Sequence, residues 1–201
     1  MASERLKHSA GWLPCRMWLC TLLVLLSTSF SAVYAVTASA CDTDETATGK
    51  VVAVYVFLSP ECPICQQYSA TLNKIVALYR DKPVTVCGVV PGLLYSAKDI
   101  ADFRVEYNIS FPVITDSLYR LTTRLQATIT PQAILLDEHG ATVYSGPVDN
   151  TFVALGRKRA HTTAHYLTDA LDSTLAGKPV AMPSVPAVGC RIERANINDS
   201  Q

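Results

Sequence analysis

The stretch Ser59-Pro60-Glu61-Cys62-Pro63-Ile64-Cys65 decides the fold, because it joins a strand pattern to a helical pattern. The continuous apolar run at residues 51–58 before it is typical of a central strand that is buried on both faces. After it, apolar side chains recur with helical spacing as far as Tyr79. Two cysteines at this spacing in a helical turn share one face and are close enough to form a disulfide. The stretch therefore predicts a redox site where a strand meets a helix.

The composition describes a globular protein of about one domain. The chain has 201 residues, with 17 basic and 17 acidic side chains and 49% hydrophobic residues. It carries no basic patch and no interleaving of basic and aromatic residues, which argues against binding of nucleic acid. Its seven cysteines are too few for a disulfide scaffold. The cysteines are therefore expected to carry specific chemistry.

Residues 1–40 have the order of a secretory signal. Basic side chains precede an apolar run at residues 18–26, and small-residue cleavage patterns end at Ala35 and Ala40. The sequence predicts a signal peptide or an uncleaved N-terminal anchor here, with lipid attachment at Cys41 as a third alternative. Each alternative places the folded domain outside the cytoplasm, in the periplasm or another extracytoplasmic space. Contact with a membrane is expected only through the anchor or the lipid.

The remaining chain divides into a linker at residues 41–49, a domain at 50–176 and an extended C-terminal tail at 177–201. Strand and helix patterns alternate within the domain, which predicts an α/β fold with helices packed on a parallel sheet. A turn at residues 138–140 then predicts an antiparallel hairpin. Residues 146–159 are expected to form an irregular loop.

A strand, the Cys62-Pro63-Ile64-Cys65 motif, a helix and a later Thr130-Pro131 together resemble the thioredoxin-like superfamily. Residues 111–116 (FPVITD) and 130–137 (TPQAILLD) are similar to its redoxin branch, the TlpA-like and peroxiredoxin-like proteins. The resemblance implies a three-layer fold in which helices flank a central mixed β-sheet. It also implies that Pro131 is cis and lies against the cysteine pair. Thr130 and Pro131 would there present backbone to an incoming cysteine-containing partner.

The chain departs from two patterns within that superfamily. Thioredoxin itself carries a carboxylate and a tryptophan where this chain has Val56 and Glu61, which argues against a general reductase. Peroxiredoxins use a P-x-x-x-T-x-x-C pattern, and here Ser59 stands at the Thr position and Tyr55 at the Pro position. An efficient peroxidase is therefore the less favoured interpretation.

Cys62 is the predicted nucleophile, and Cys65 is the predicted resolving thiol. The unpaired N–H groups and the positive dipole end of a helix N-terminus favour a thiolate at Cys62. As the first cysteine of the pair, Cys62 is also expected to be the more exposed sulfur. Cys65 then closes the internal disulfide and releases the partner. This redox-active disulfide needs no dissociable cofactor, and without a second C-x-x-C or a histidine cluster no metal site is predicted.

Three other residues are also of interest: Glu61 and Cys190 each have several possible roles, and Cys87 has a simple structural one. Glu61 relays a proton, raises the pKa of Cys62 through its charge, or is a solvated loop carboxylate. Cys87 lies in an apolar run and is expected to be a small core residue. Cys190 is a second resolving cysteine, a partner for Cys41, or an inert thiol of the tail.

The sequence thus predicts an exported thiol–disulfide oxidoreductase, an enzyme that exchanges disulfides with protein partners and with a redox partner protein. The enzymatic alternative is a peroxiredoxin-like thiol peroxidase that uses Cys62 with Cys65 or Cys190. The non-enzymatic alternative is an SCO-like copper-binding assembly module in which His161 or His165 joins the cysteine pair. Proteins of that kind carry C-x-x-x-C rather than C-x-x-C. The direction of electron flow is left open by the sequence.

Overall fold

The computed structural model describes Cys41 and residues 51–193, in which strands and helices alternate through most of the chain. The strands are β1 (Val52–Phe57), β2 (Val84–Pro91), β3 (Val113–Asp116), β4 (Ile129–Thr130), β5 (Gln132–Leu136), β6 (Thr142–Gly146), β7 (Phe152–Ala154), β8 (Arg157–Lys158) and β9 (Cys190–Arg191). The helices are α1 (Pro63–Leu78), α2 (Ala97–Glu106), α3 (Arg120–Arg124) and α4 (Tyr166–Leu175). The proposed signal or anchor at residues 1–40 lies outside the described residues. Within the described part of the chain, no helix is long and apolar enough to cross a membrane.

A five-stranded sheet forms the centre, in the order β3-β2-β1-β5-β6. The first three strands are parallel to one another, because β1 pairs in parallel with β2 and β2 pairs in parallel with β3. Strand β5 runs antiparallel to both β1 and β6. The mixed central sheet is therefore confirmed. Two further pairs, β4 with β9 and β7 with β8, form separate two-stranded sheets.

Alternation along β1 sends its side chains into two apolar layers, because successive residues of a strand point to opposite faces. Val54 and Val56 pack with the apolar faces of α1 and α4. Tyr55 and Phe57 pack on the other face, which Leu121 of α3 helps to cover. Helices thus lie on both faces of the sheet, which confirms the three-layer α/β arrangement.

The helix starts follow local sequence signals. Pro63 is the first residue of α1, where its missing N–H leaves no hydrogen bond unmade. Ser96 caps α2, since its hydroxyl accepts from the Asp99 N–H at 3.2 Å and the Asp99 carboxylate accepts from the Ser96 N–H at 2.8 Å. Because Pro63 favours the first position of a helix, α1 begins directly after Cys62.

Residues 146–159 are not an irregular loop throughout, because β7 and β8 form a short antiparallel hairpin there. Gly156 makes the turn with a φ of 69°, a conformation that favours glycine. The Phe152 ring packs against Tyr68 of α1 with ring centroids 5.0 Å apart. This long-range aromatic contact stabilises a hairpin that has no alternating pattern of its own.

The described part of the C-terminal tail returns to the sheet. The Ser145 N–H donates to Pro183 O at 2.9 Å, and the Val185 N–H donates to Ser145 O at 3.1 Å, which joins the tail to β6. Val185 and Val188 pack against the main core. Beyond them, β9 pairs with β4 in an antiparallel sense, with Thr130 opposite Cys190.

Cys87 is not simply a small core residue, because it forms a disulfide with Cys41. Both residues are buried in the apolar layer that contains Tyr55 and Phe57. The prediction was wrong because the 46-residue separation gives no local signal of pairing. The same disulfide excludes Cys41 as the partner of Cys190, and it leaves the Cys41 sulfur without a thiol for lipid attachment.

The disulfide is expected to contribute about 2–4 kcal/mol to the free energy of unfolding, because it closes a long loop in the unfolded chain. A Cys41→Ala/Cys87→Ala variant should therefore unfold at a lower urea concentration than the wild type. Unfolding in excess reductant, which opens the disulfide of the wild type, is the control and should bring the two midpoints closer together. Equal midpoints for the two proteins without reductant would contradict a stabilising role.

Candidate active site

Three free cysteines meet where β1 leads into α1. Cys62 directly precedes α1, Cys65 lies in its first turn, and Cys190 arrives on β9. The Sγ atoms of Cys190 and Cys62 are 2.8 Å apart, closer than sulfurs in ordinary packing contact. The structure thus brings the predicted cysteine pair together with a third thiol from the far end of the chain.

The chain between β1 and α1 is held by main-chain hydrogen bonds. The Leu58 N–H donates to Val89 O at 2.8 Å, which extends the sheet to the end of the strand. The Cys62 N–H then donates to Ser59 O at 3.1 Å and closes a tight turn. The Ser59 N–H lies 3.4 Å from Cys65 Sγ. These bonds place both sulfurs of the motif beyond the carboxyl end of β1.

The pKa of Cys62 is lowered from an ordinary value of 9.0 to about 5. The largest cause is donation by the Cys65 thiol. Burial opposes it, while the Cys190 thiol and the N–H groups of Cys65 and Ile64 also donate to the sulfur. Hydrogen bonds to the charged form favour that form. Cys62 is therefore a thiolate at neutral pH, as the position before a helix N-terminus predicted.

The pKa values of the other two cysteines are raised rather than lowered. Burial raises the pKa of Cys65 well above its usual range, and the neighbouring Cys62 thiolate adds to the effect. Burial also raises the pKa of Cys190, to about 11, again with help from the charge of Cys62. At neutral pH the site therefore holds one thiolate between two thiols that donate to it.

Cys62 is only 1% exposed and Cys65 is fully buried beneath it, so the first sulfur is the more exposed of the pair, as predicted, but by a very small margin. Cys190 is in contact with Cys62 and is itself half-buried. The docked tail thus covers the sulfur that a C-x-x-C motif at a strand–helix junction ordinarily leaves open, and nothing in the motif itself indicates such a cover.

Thr130 and Pro131 lie beside the cysteines. The peptide bond between them is cis, as the resemblance implied, and both residues are buried. Thr130 O is 3.3 Å from Cys62 Sγ and accepts a hydrogen bond when that sulfur is protonated. The Thr130 hydroxyl donates to Cys190 O at 3.4 Å. The structure thereby gathers four of the predicted site residues, Cys62, Cys65, Thr130 and Cys190, around one sulfur.

Glu61 lies at the exposed rim of the site. The Tyr95 hydroxyl donates to its carboxylate at 3.4 Å and lies 2.9 Å from Ser59 Oγ. Burial is the main cause that raises the pKa of Tyr95 above its ordinary value. Sequence reasoning missed this tyrosine, because it lies in the loop between β2 and α2 and carries no motif. Only the pairing of β2 with β1 brings that loop to the cysteines.

A cleft of about 280 Å³ opens beside Cys62. Its walls include Leu94, Tyr95 and Tyr119 together with the residues around Cys190. Leu94 and its neighbour Leu93 are more than 70% exposed, and Leu155 is also exposed beside a second hollow that Cys190 lines. Apolar side chains therefore flank the sulfurs on two sides. Among the described residues, no group of three or more His, Cys, Asp or Glu side chains is arranged to bind a metal ion.

The redoxin family model matches residues 28–155, which is more than half of the chain. The chain belongs to the redoxin family. No curated protein sequence matches it significantly. The sheet order, the flanking helices and the family assignment together identify the fold as thioredoxin-like.

Solved structures share this redoxin fold at low sequence identity. A hypothetical protein from Sinorhizobium meliloti 1021 is 24% identical with a TM-score of 0.63, covering 71% of this chain and 79% of that chain. An uncharacterized conserved protein from Geobacillus kaustophilus is 22% identical with a TM-score of 0.65, covering 73% of this chain and 79% of that chain. A secreted disulfide oxidoreductase of Mycobacterium tuberculosis is a weaker match, 20% identical with a TM-score of 0.43, covering 63% of this chain and 81% of that chain.

The hydrogen bonds to the thiolate predict the titration of Cys62 in the reduced protein. Its ultraviolet thiolate absorbance should appear with a midpoint near pH 5. Cys65→Ala and Cys190→Ala should each raise this midpoint, Cys65→Ala by more, because each removes a donor to the charged sulfur. Cys62→Ala is the control and should lack the transition. A wild-type midpoint near 9 would contradict this description of the site.

The same shift predicts how the stability of the reduced protein depends on pH. The folded pKa of Cys62 lies below the unfolded value, so the unfolded chain binds more protons between about pH 5 and pH 9. The stabilising effect is therefore complete above pH 9 and is lost as the pH falls through 5. Denaturant unfolding across this window should show the reduced wild type gaining stability relative to Cys62→Ala as pH rises. Parallel pH profiles for the two proteins would refute the linkage.

Proposed function

We propose that this redoxin is an exported thiol–disulfide oxidoreductase that exchanges disulfides with protein partners through Cys62 and Cys65. The observation that carries the proposal is a buried Cys62 thiolate, with a pKa of about 5, held by donation from a second thiol one helical turn away. A thiolate is the attacking form in disulfide exchange, and a nearby protonated thiol is the group that resolves the product.

The exchange proceeds in two balanced steps. The Cys62 thiolate attacks one sulfur of the partner's disulfide, and the other partner sulfur leaves with the electron pair and takes a proton. Cys65 then loses its proton and attacks Cys62 Sγ, which releases the first partner sulfur as a thiol. The protein is left with the Cys62–Cys65 disulfide, and the partner's disulfide has been reduced. Run backwards, the same steps oxidise two partner thiols, and no dissociable cofactor takes part.

The hydrogen bonds to Cys62 favour the direction in which the protein oxidises partner thiols. Hydrogen bonds that lower the pKa of Cys62 stabilise the reduced protein relative to its disulfide form. A dithiol that is stabilised in this way makes its disulfide a stronger oxidant. We therefore expect the Cys62–Cys65 disulfide to donate its oxidising equivalents to partner thiols.

The surroundings of the sulfurs suit a polypeptide partner. Thr130 lies on a short strand whose backbone pairs with an extended segment that carries a cysteine, as β9 demonstrates. Exposed Leu94 and Leu155 flank this position and offer apolar contact. Thr130 and Pro131 are accordingly the proposed binding residues, and Glu61 is an accessory group at the rim.

The proposed compartment rests on two features. Residues 1–40 carry the secretory pattern, and the Cys41–Cys87 disulfide is of the kind that persists in an oxidising space. A signal peptide or an uncleaved anchor fits both features, whereas lipid attachment requires the sulfur that Cys41 uses in the disulfide. A periplasmic or other extracytoplasmic location follows.

A Cys65→Ala/Cys190→Ala variant tests the proposed function, because without the two neighbouring thiols it should accumulate mixed disulfides at Cys62. Incubation with a peptide that contains a disulfide, followed by acid quenching and mass spectrometry, should find the peptide linked to Cys62. Cys62→Ala is the matched control and should capture none. An inert Cys62 in a protein that instead consumes hydrogen peroxide would favour the peroxidase alternative and overturn the exchange function.

A further inference from the structure

The third sulfur and its strand lie where a substrate would have to lie. Strand β9 pairs antiparallel with β4, with Cys190 opposite Thr130 and Arg191 opposite Ile129. The Ile192 N–H adds a hydrogen bond to Thr128 O at 2.9 Å. This is the extended pairing that a cysteine-containing peptide needs in order to present its sulfur to Cys62. The chain therefore supplies, from its own tail, a segment with the form of a bound substrate.

The pairing of β9 with β4 brings the Cys190 sulfur close enough to react with Cys62. Cys190 Sγ lies 2.8 Å from Cys62 Sγ and donates its thiol hydrogen to the thiolate. Residue 190 reaches this position because its neighbour is a glycine. A Cβ at Gly189 would collide with the carbonyl oxygen of Thr130 and lie 2.8 Å from the Ile129 side chain. The Gly189-Cys190 dipeptide is thus the feature of the sequence that permits close approach of the tail to β4.

The tail is held firmly on one side of Cys190 and lightly at the cysteine itself. Val185 is joined to β6 by hydrogen bonds and packs on the core, so Cys190 remains near the site even when β9 is detached. On the other side, Glu193 O accepts from the Tyr119 hydroxyl at 3.1 Å. Strand β9 has only two residues. A short strand on an anchored tail can leave and return without dilution, which gives its thiol a high effective concentration at Cys62.

We propose that residues 189–192 are an internal substrate of the enzyme: they occupy the strand-pairing site of β4, and Cys190 forms a reversible disulfide with Cys62. This rests on the exchange function proposed above and adds a third catalytic sulfur to it. An incoming partner displaces β9, reacts at Cys62 and is expelled when the tail returns.

In the direction that reduces a partner's disulfide, the step at Cys190 balances without any further oxidant, and each exchange is reversible. Cys62 Sγ, once bonded to a partner sulfur, is attacked by the Cys190 thiolate. The Cys62–Cys190 bond forms, and the partner sulfur leaves with the electron pair and takes a proton. Cys65 can then attack Cys62 Sγ, which forms the Cys62–Cys65 disulfide and returns Cys190 as a thiol. The partner's disulfide is the only oxidant consumed in the sequence.

The electrostatics of the site favour this timing. Burial comes first among the causes that raise the pKa of Cys190, and the hydrogen bond and the negative charge of Cys62 follow. When Cys62 becomes bonded to a partner sulfur, its charge disappears and both of those causes are removed. Cys190 is half-buried while Cys65 is fully buried, so Cys190 pays the smaller desolvation penalty on ionising. Cys190 is thus a protonated, unreactive thiol beside the free Cys62 thiolate, and formation of the mixed disulfide lowers its pKa and activates it.

The first test removes the competing resolving thiol. Reduced Cys65→Ala protein is treated with oxidised glutathione, quenched in acid, alkylated and mapped by mass spectrometry. We expect an intramolecular Cys62–Cys190 disulfide, whereas the matched control Cys65→Ala/Cys190→Ala should retain glutathione on Cys62. If Cys65→Ala also retains glutathione on Cys62 with Cys190 free, the proposal for the tail fails and the exchange function stands. If Cys62 takes no glutathione in either protein, both fail.

The second test separates strand pairing from the thiol. Gly189→Val blocks docking by collision with Thr130, while Cys190→Ser keeps the pairing and removes the thiol. In the Cys65→Ala/Cys190→Ser background, where neither thiol can resolve the adduct, adding Gly189→Val should raise the rate of mixed-disulfide formation with a peptide disulfide on the order of tenfold, because a population shift opens the site. Unfolding midpoints confirm that both proteins are folded, and an unchanged rate for Gly189→Val would overturn occupation of β4 by the tail.

Discussion

The antiparallel register between β1 and β5 is the constraint on which the site depends. Phe57 at the end of β1 lies opposite Gln132 at the beginning of β5, so the residues just beyond one strand meet those just before the other. Cys62 and Thr130 are therefore neighbours although 68 residues separate them along the chain. The Gln132 side chain reinforces this junction, because its amide oxygen accepts from the Thr128 N–H at 2.9 Å. A slip by one residue would turn every side chain of β5 to the wrong face and separate the two halves of the site.

Within the site that this register assembles, the pKa of Cys62 is set by a balance between burial, which raises it, and hydrogen bonding, which lowers it. Burial alone would raise its pKa, as it does for Cys65 and Cys190. The opposite result at Cys62 arises because the two neighbouring thiols and the first N–H groups of α1 all donate to one sulfur. One position thus collects the donors. In the mechanism proposed above, the same donors become the nucleophiles of the following steps, which gives each sulfur both an electrostatic and a chemical role.

The sequence was sufficient for elements that depend on a local pattern. The apolar run at residues 51–58 and the helical spacing that follows the cysteine motif predicted β1 and α1, because periodicity is a short-range effect. Family resemblance supplied the cis bond before Pro131. What the sequence could not supply are long-range contacts without a motif. These are the Cys41–Cys87 bond, the approach of Tyr95 to Ser59, the β7–β8 hairpin and the return of the tail to β4. Each depends on the assembled sheet, which no window of the sequence contains.

The Cys41–Cys87 bond also has a mechanical consequence. Cys87 lies within β2, which is hydrogen-bonded on one side to β1 and on the other to β3. Tension applied to the chain before residue 41 therefore passes through the disulfide into the middle of the sheet and bypasses the segment that leads into β1. The turn after β1 that carries Cys62 lies in the loop between residues 41 and 87 and is therefore off the direct covalent path of such a force.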